Sequence, residues 1–84
     1  MDPPDLVLLD MRMPDMSGVD VCKWFKQHGT LHSIPVIFIS GLLGIEEKIE
    51  AFRVGAVDYI SKPFQENEVL ARVKTHLRLR RMEL

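Results

Sequence analysis

The sequence predicts an α/β fold: a parallel sheet of three strands covered by three helices. Two observations carry that prediction. Three short apolar runs, at Leu6–Leu9, Ile34–Ile39 and Val57–Ile60, lack polar alternation, which is how strands buried on both faces of a parallel sheet read. The stretches between and after them have helical period, and strict alternation of strand and helix implies right-handed crossovers.

Taken in order, the first run stops at Asp10. Ser17 then caps a helix whose third residue, Asp20, makes a reduced capping box, and Val21, Cys22 and Phe25 form its apolar side, with Gly29 as its stop. The second run stops at Ser40. A second helix places Ile45, Ile49 and Phe52 at i, i+4 and i+7, with Glu46 and Glu47 in its first turn and Gly55 beyond its end. The third run is less pure and leads into Ser61-Lys62-Pro63. The third helix is expected over 65–81, with Val69, Leu70, Val73 and Leu77 as its stripe, acids at its start and bases at its end, as the helix dipole favours.

Composition excludes several classes of function. The chain has 84 residues, 46% hydrophobic, 27% charged and 7% aromatic, enough for one small globular domain and unlike a disordered segment. Its 11 basic and 12 acidic side chains leave a net charge of −1, so no global field steers it to nucleic acid or to a membrane surface. The longest nearly apolar run, Val36–Ile45, is about half a membrane span and is interrupted by Ser40, Gly41 and Gly44. The N-terminus, Met-Asp-Pro-Pro-Asp, has no basic segment of a secretory signal. A lone cysteine, Cys22, forms no internal disulfide, and a reducing, cytoplasmic setting is expected.

Chemistry in an open parallel sheet gathers at the carboxyl ends of the strands. Those ends carry Asp10, Ser40 and Lys62, so the fold is expected to bring a carboxylate, a hydroxyl and an ammonium to one edge. That set suits a small anion: the carboxylate as nucleophile, the other two as holders of phosphoryl oxygens. Each residue taken singly is an ordinary polar strand end; their joint occurrence is the signal.

Three motifs surround them: Pro4-Asp5-Leu6-Val7-Leu8-Leu9-Asp10 with Met13-Pro14 and Gly18, then Ile34-Pro35-Val36-Ile37 with Ser40, then Gly55-Ala56 with Asp58-Tyr59 and Lys62-Pro63-Phe64. The spacing is thirty residues from Asp10 to Ser40 and twenty-two from Ser40 to Lys62. In these motifs, over nearly its whole length, the chain resembles the receiver domain of two-component response regulators, the CheY-like family. The resemblance implies a flavodoxin-like fold and a phosphorelay function, in which Asp10 is the phosphoacceptor served by a histidine kinase or phosphotransfer protein. It further implies that Ser40 is the hydroxyl that turns toward the phosphoryl oxygens, Lys62 the ammonium that pairs with them, and Tyr59 the switch aromatic. The Lys62–Pro63 bond would be cis, and the backbone carbonyl of Arg12 would join Asp10 as a Mg2+ ligand.

Relative to the family's five strands, the chain is expected to hold the last three strands and three helices, from strand 3 to helix 5 over 1–84, with about 78–84 as the start of a linker helix. The family's first strand carries an acidic pair for Mg2+. Asp2 and Asp5 precede the Leu6–Leu9 strand and fall near its other end, so Mg2+ binding and phosphorylation are expected to be impaired, and Asp10 and Lys62 to pair with each other. The bared Leu6–Leu9 edge and the 65–81 helix predict a homo-oligomer.

Other signals are weighed lower. His28 and His32 have a zinc-like spacing, but Gly29 breaks the helix between them and no third ligand is evident. Cys22 reads as a buried thiol. Gly41-Leu42-Leu43-Gly44 lacks a phosphate-loop lysine, and Met11 and Met13 read as packing. The basic Arg78-Leu79-Arg80-Arg81 reads as a charged helix end without direct nucleic-acid contact, and Leu70, Leu77 and Leu84 are too few intervals to define a coiled coil. Two rival functions remain. An aspartyl-phosphate phosphatase of the haloacid-dehalogenase kind needs an acid two residues after its nucleophile, where Arg12 stands. An inert interaction or dimerisation module derived from a receiver is the other; a receiver itself is not an enzyme in the ordinary sense.

Overall fold

The computed structural model describes residues 3–12, 15–41 and 44–82; Asp2, Met13, the Leu42-Leu43 pair and Leu84 lie outside them. The chain runs β1 (Val7–Asp10), α1 (Gly18–Gln27), β2 (Val36–Ser40), α2 (Ile45–Arg53), β3 (Asp58–Ser61) and α3 (Glu66–Met82). The three strands form one sheet in the order β1-β2-β3, and both pairings are parallel. Val7 lies opposite Val36 and Asp10 opposite Ile39; Ile37 lies opposite Asp58 and Ser40 opposite Ser61. The alternation of apolar run and helical period thus gives the expected α/β arrangement.

The pleat divides the side chains between two faces. On one, Val36, Phe38 and Tyr59 pack with Cys22 of α1, Ala51 of α2, Met11 and Ala56, with Val7, Leu9, Val19 and Val54 around them. On the other, Asp58 meets Arg72 and His76 of α3. Central β2 is the most enclosed strand: Val36, Ile37 and Phe38 are wholly buried. Burial of side chains of this size contributes roughly 1.5–3 kcal/mol each.

Ser17 caps α1 as expected, its hydroxyl accepting the Val19 N–H at 3.1 Å. Helix α1 ends at Gln27, and Gly29, with φ +41°, opens a 3-10 turn over Gly29–Ser33 that the sequence pattern does not reveal. The rings of His28 and His32 bond back to the carbonyls of Trp24 and Gly29, so both serve the turn. Cys22 is fully buried, and burial pushes its thiol pKa up against the opposing charge of Lys26.

Helix α2 departs from expectation. Ile45, Ile49 and Phe52 are 74%, 50% and 50% exposed, and Ala51 is its buried residue. The small Ala51 lets the helix approach the sheet, which turns the bulky i, i+4, i+7 stripe outward. Helix α3 spans Glu66–Met82, one residue displaced at each end from the expected 65–81, and continues unbroken through residues 78–82. None of its residues is fully buried: Val69, Val73 and Leu77 are half-buried and Leu70 is exposed. Polar contacts tie it down instead, from Arg72 and His76 to Asp58, and from Arg80 Nη1 to the Ser33 carbonyl at 2.6 Å.

Candidate functional site

Parallel strands that end together place their last residues together. Asp10 is the last residue of β1, Ser40 the last of β2, and Lys62 follows the last residue of β3. Lys62 Nζ donates to Asp10 Oδ2 at 3.0 Å across 52 residues of sequence. The Lys62 N–H donates to the Ser40 carbonyl at 2.7 Å, which extends the β2–β3 ladder into the site. Ser40 itself is 2% exposed. The Lys62–Pro63 peptide is cis.

The other carboxylate oxygen of Asp10 is held from the backbone: Arg12 N–H donates to Oδ1 at 2.9 Å. That bond is the first cause, and the Lys62 ammonium the second, of an Asp10 pKa below the usual carboxylate value. The carboxylate is therefore ionised and oriented at neutral pH, as a nucleophile has to be. Asp10 and Lys62 side chains are 38% and 47% exposed, so water screens the pair and an incoming anion has access to it. The loop after β1 is pinned by two bonds, Gly18 N–H to the Met11 carbonyl and Met11 N–H to the Ile39 carbonyl. A β-carbon at Gly18 would run into the Asp10 carbonyl oxygen and lie 2.9 Å from Met11 Cα. Only glycine permits that approach, which explains a glycine eight residues after the aspartate.

Tyr59 points inward. It belongs to the core cluster, and its hydroxyl is buried with no hydrogen-bond partner among the described residues. Lys48 Nζ lies 5.2 Å from its ring centroid, within range of a cation–π contact.

Beside Tyr59 stands a group that periodicity gives no reason to single out. Asp58 accepts the Tyr59 N–H at 2.8 Å, Arg72 Nη1 at 2.9 and 3.1 Å, and His76 Nε2 at 3.0 Å. Partial burial works to raise the Asp58 pKa, but the Tyr59, His76 and Arg72 contacts outweigh it and hold the pKa below the usual value. The spacing of Arg72 and His76, four apart on one helix face, is the signal that could have flagged them.

Mg2+ finds few ligands among these residues. A divalent cation takes several oxygens, usually with more than one protein anchor. Among the described residues no group of three His, Cys, Asp or Glu side chains converges, and both Asp10 oxygens already have partners. Asp5 is engaged elsewhere, 3.8 Å from Arg80 Nε. The described part of the chain does not by itself make a Mg2+ site.

Comparison with known proteins agrees with this geometry. The family model of the response regulator receiver domain matches residues 1–74. The response regulator protein TodT of Pseudomonas putida is 45% identical over 73 residues, which cover 87% of this chain and 31% of TodT. The DNA-binding dual master transcriptional regulator RpaA of Synechocystis is 41% identical over 75 residues, 89% of this chain and 31% of RpaA. The chain thus spans about a third of the length of these curated relatives. A CheY-like receiver domain from Methanospirillum hungatei superposes with a TM-score of 0.87 at 25% identity, over 95% of this chain and 62% of that one. Sheet order, strand-end residues and family match coincide, and the chain belongs to the response-regulator receiver domain family.

Proposed function

We propose that Asp10 is the phosphoacceptor of a two-component phosphorelay. The Asp10–Lys62 contact at the shared strand ends is the observation that carries this reading. In the transfer an Asp10 carboxylate oxygen forms the new P–O bond, the P–N bond of a phosphohistidine on a kinase or phosphotransfer protein breaks, and the leaving imidazole takes up a proton. Lys62 exchanges its partner, from the carboxylate to the phosphoryl oxygens. Ser40 supplies the hydroxyl of the switch and Tyr59 its aromatic, turning when the hydroxyl moves. On this reading the chain is a signalling module of the cytoplasm and not an enzyme; among the described residues no helix is long and apolar enough to cross a membrane.

This chain on its own accepts phosphoryl poorly, because its described residues offer Mg2+ one carboxylate. The Arg12 carbonyl adds at most one oxygen, as the resemblance implies. Residues 78–82, which continue α3, form the start of a linker toward an output domain. The chain also self-associates. Strand β1 pairs only with β2 among the described residues, so its other edge offers unpaired backbone groups, and Leu8 beside them is 45% exposed.

The experiment is incubation with acetyl phosphate and Mg2+, followed by intact mass. Slow, substoichiometric gain of one phosphoryl group, abolished by Asp10→Asn, is expected. Rapid stoichiometric gain overturns the impairment. Gain that survives Asp10→Asn, or no gain at any time, overturns the acceptor assignment.

A further inference from the structure

The edge of the sheet away from Asp10 holds a feature that phosphoryl chemistry does not use. Pro35 precedes β2 and Val57 precedes β3, so both stand at strand starts. Between them and the last turns of α3 lies a cavity of about 210 Å3. Its apolar floor is Pro35, Val57 and Leu79, of which Val57 and Leu79 are 39% and 46% exposed. Its rim carries Lys26, His76 and Arg80, and among the described residues no acid lines it, Asp5 standing behind Arg80 at 3.8 Å.

The two permanent cations of the rim are already fixed. Lys26 Nζ donates to the carbonyls of His32 and Ile34 at 3.3 and 3.2 Å, and Arg80 Nη1 to the Ser33 carbonyl at 2.6 Å. An ammonium has three N–H donors and a guanidinium five, so Lys26 keeps one for a ligand, and Arg80, whose Nε also faces Asp5 Oδ1 at 3.8 Å, keeps the remaining N–H groups of its fork. Long side chains held in this way need no further ordering when an anion arrives, which lowers the entropic cost of binding. His76 Nε2 is committed to Asp58, so charge recognition rests on Lys26 and Arg80.

Floor and rim together call for an amphiphilic ligand. A bare inorganic anion would use the cations and leave the apolar floor wet. A cavity of about 150 Å3 accommodates benzene, so 210 Å3 has room for a ring and a carboxylate. We propose that this cavity is a binding site for a small organic monocarboxylate, its apolar body on Pro35, Val57 and Leu79 and its charge between Lys26 and Arg80. The site is independent of the phosphoacceptor reading.

Two-dimensional amide NMR of the full chain, titrated in parallel with benzoate, benzamide and inorganic phosphate, tests it. Benzoate is expected to shift the Val57, His76 and Leu79 amides saturably, with a Kd on the order of 1 mM, as suits a nine-atom ligand in a half-open site. Benzamide, the neutral isostere, and phosphate bind at least about tenfold more weakly, and salt at about 0.5 M weakens benzoate severalfold. Arg80→Gln and Lys26→Met each weaken benzoate about tenfold, while Lys74→Gln, exposed on α3 outside the cavity, changes nothing. Equal binding of benzamide overturns the role of the cations, and equal binding of phosphate overturns the role of the floor. Absence of saturable shifts at those three amides overturns the site itself. Should Lys26→Met not fold, the ligand comparison on the natural sequence decides alone.

Discussion

Lys62 Nζ reaches Asp10 Oδ2 at 3.0 Å, although 52 residues separate them, because β1 and β3 flank β2 and run the same way. Replacing Lys62 by Met removes one of the two contacts that hold the Asp10 pKa down, and leaves the Arg12 N–H. The Asp10 pKa is expected to rise toward the ordinary carboxylate value, as read by carboxyl 13C titration. Stability changes by about 0.5 kcal/mol or less, since the pair is exposed and screened.

The Asp58 junction behaves differently, because its side chain is 18% exposed and four donor contacts converge on it. Asp58→Ala strands Arg72 and His76, and is expected to cost about 1–3 kcal/mol in urea denaturation at pH 7. The folded pKa of Asp58 is depressed, so its contribution is present above the unfolded value and fades as pH falls through the folded one. The difference between natural sequence and variant should therefore shrink below about pH 4. A difference that grows with acid would contradict the assignment.

Gly18 and Gly41 make a controlled pair. A methyl group at Gly18 meets backbone atoms of Asp10 and Met11, and at Gly41 it meets no described residue within 4 Å. Gly18→Ala is expected to lose on the order of 3 kcal/mol and to move the Asp10 carboxyl resonance, as overpacking against backbone does. Gly41→Ala stays within about 0.5 kcal/mol of the natural sequence. Equal effects would refute the close approach.

The Tyr59 hydroxyl, buried without a partner among the described residues, carries a penalty that phenylalanine removes. Tyr59→Phe is expected to raise stability by about 1 kcal/mol in chemical denaturation. A loss of that size would mean that the hydroxyl has a partner after all.

Self-association is read by sedimentation velocity. The natural sequence is expected to sediment faster than a monomer at micromolar concentration. Leu8→Lys, which sets a charge beside the open strand edge, returns it to the monomer. A folded monomer of the natural sequence would end the proposal.

The strand ends were legible because uninterrupted apolar runs mark their own limits: Asp10 and Ser40 close β1 and β2 in the structure as in the pattern. Helical period told where α2 lies but not which way it faces. Ile45, Ile49 and Phe52 form as regular a stripe as any buried face, and only the close seat of Ala51 on the sheet decides against them. The Asp58, Arg72 and His76 junction was hidden for another reason. It joins β3 to α3 through polar contacts between elements: the four-residue spacing of Arg72 and His76 puts them on one face of α3, but nothing in the sequence aims that face at Asp58.

That junction gives α3 an unusual footing. The sheet and its first two helices cohere by shedding water from apolar surface, which dissolved ions scarcely disturb, whereas α3 is moored chiefly by guanidinium and imidazole groups. Ionic strength therefore acts as a selective solvent for one element. In brine the last helix should loosen and exchange its amide protons early, while the strands beneath it stay closed.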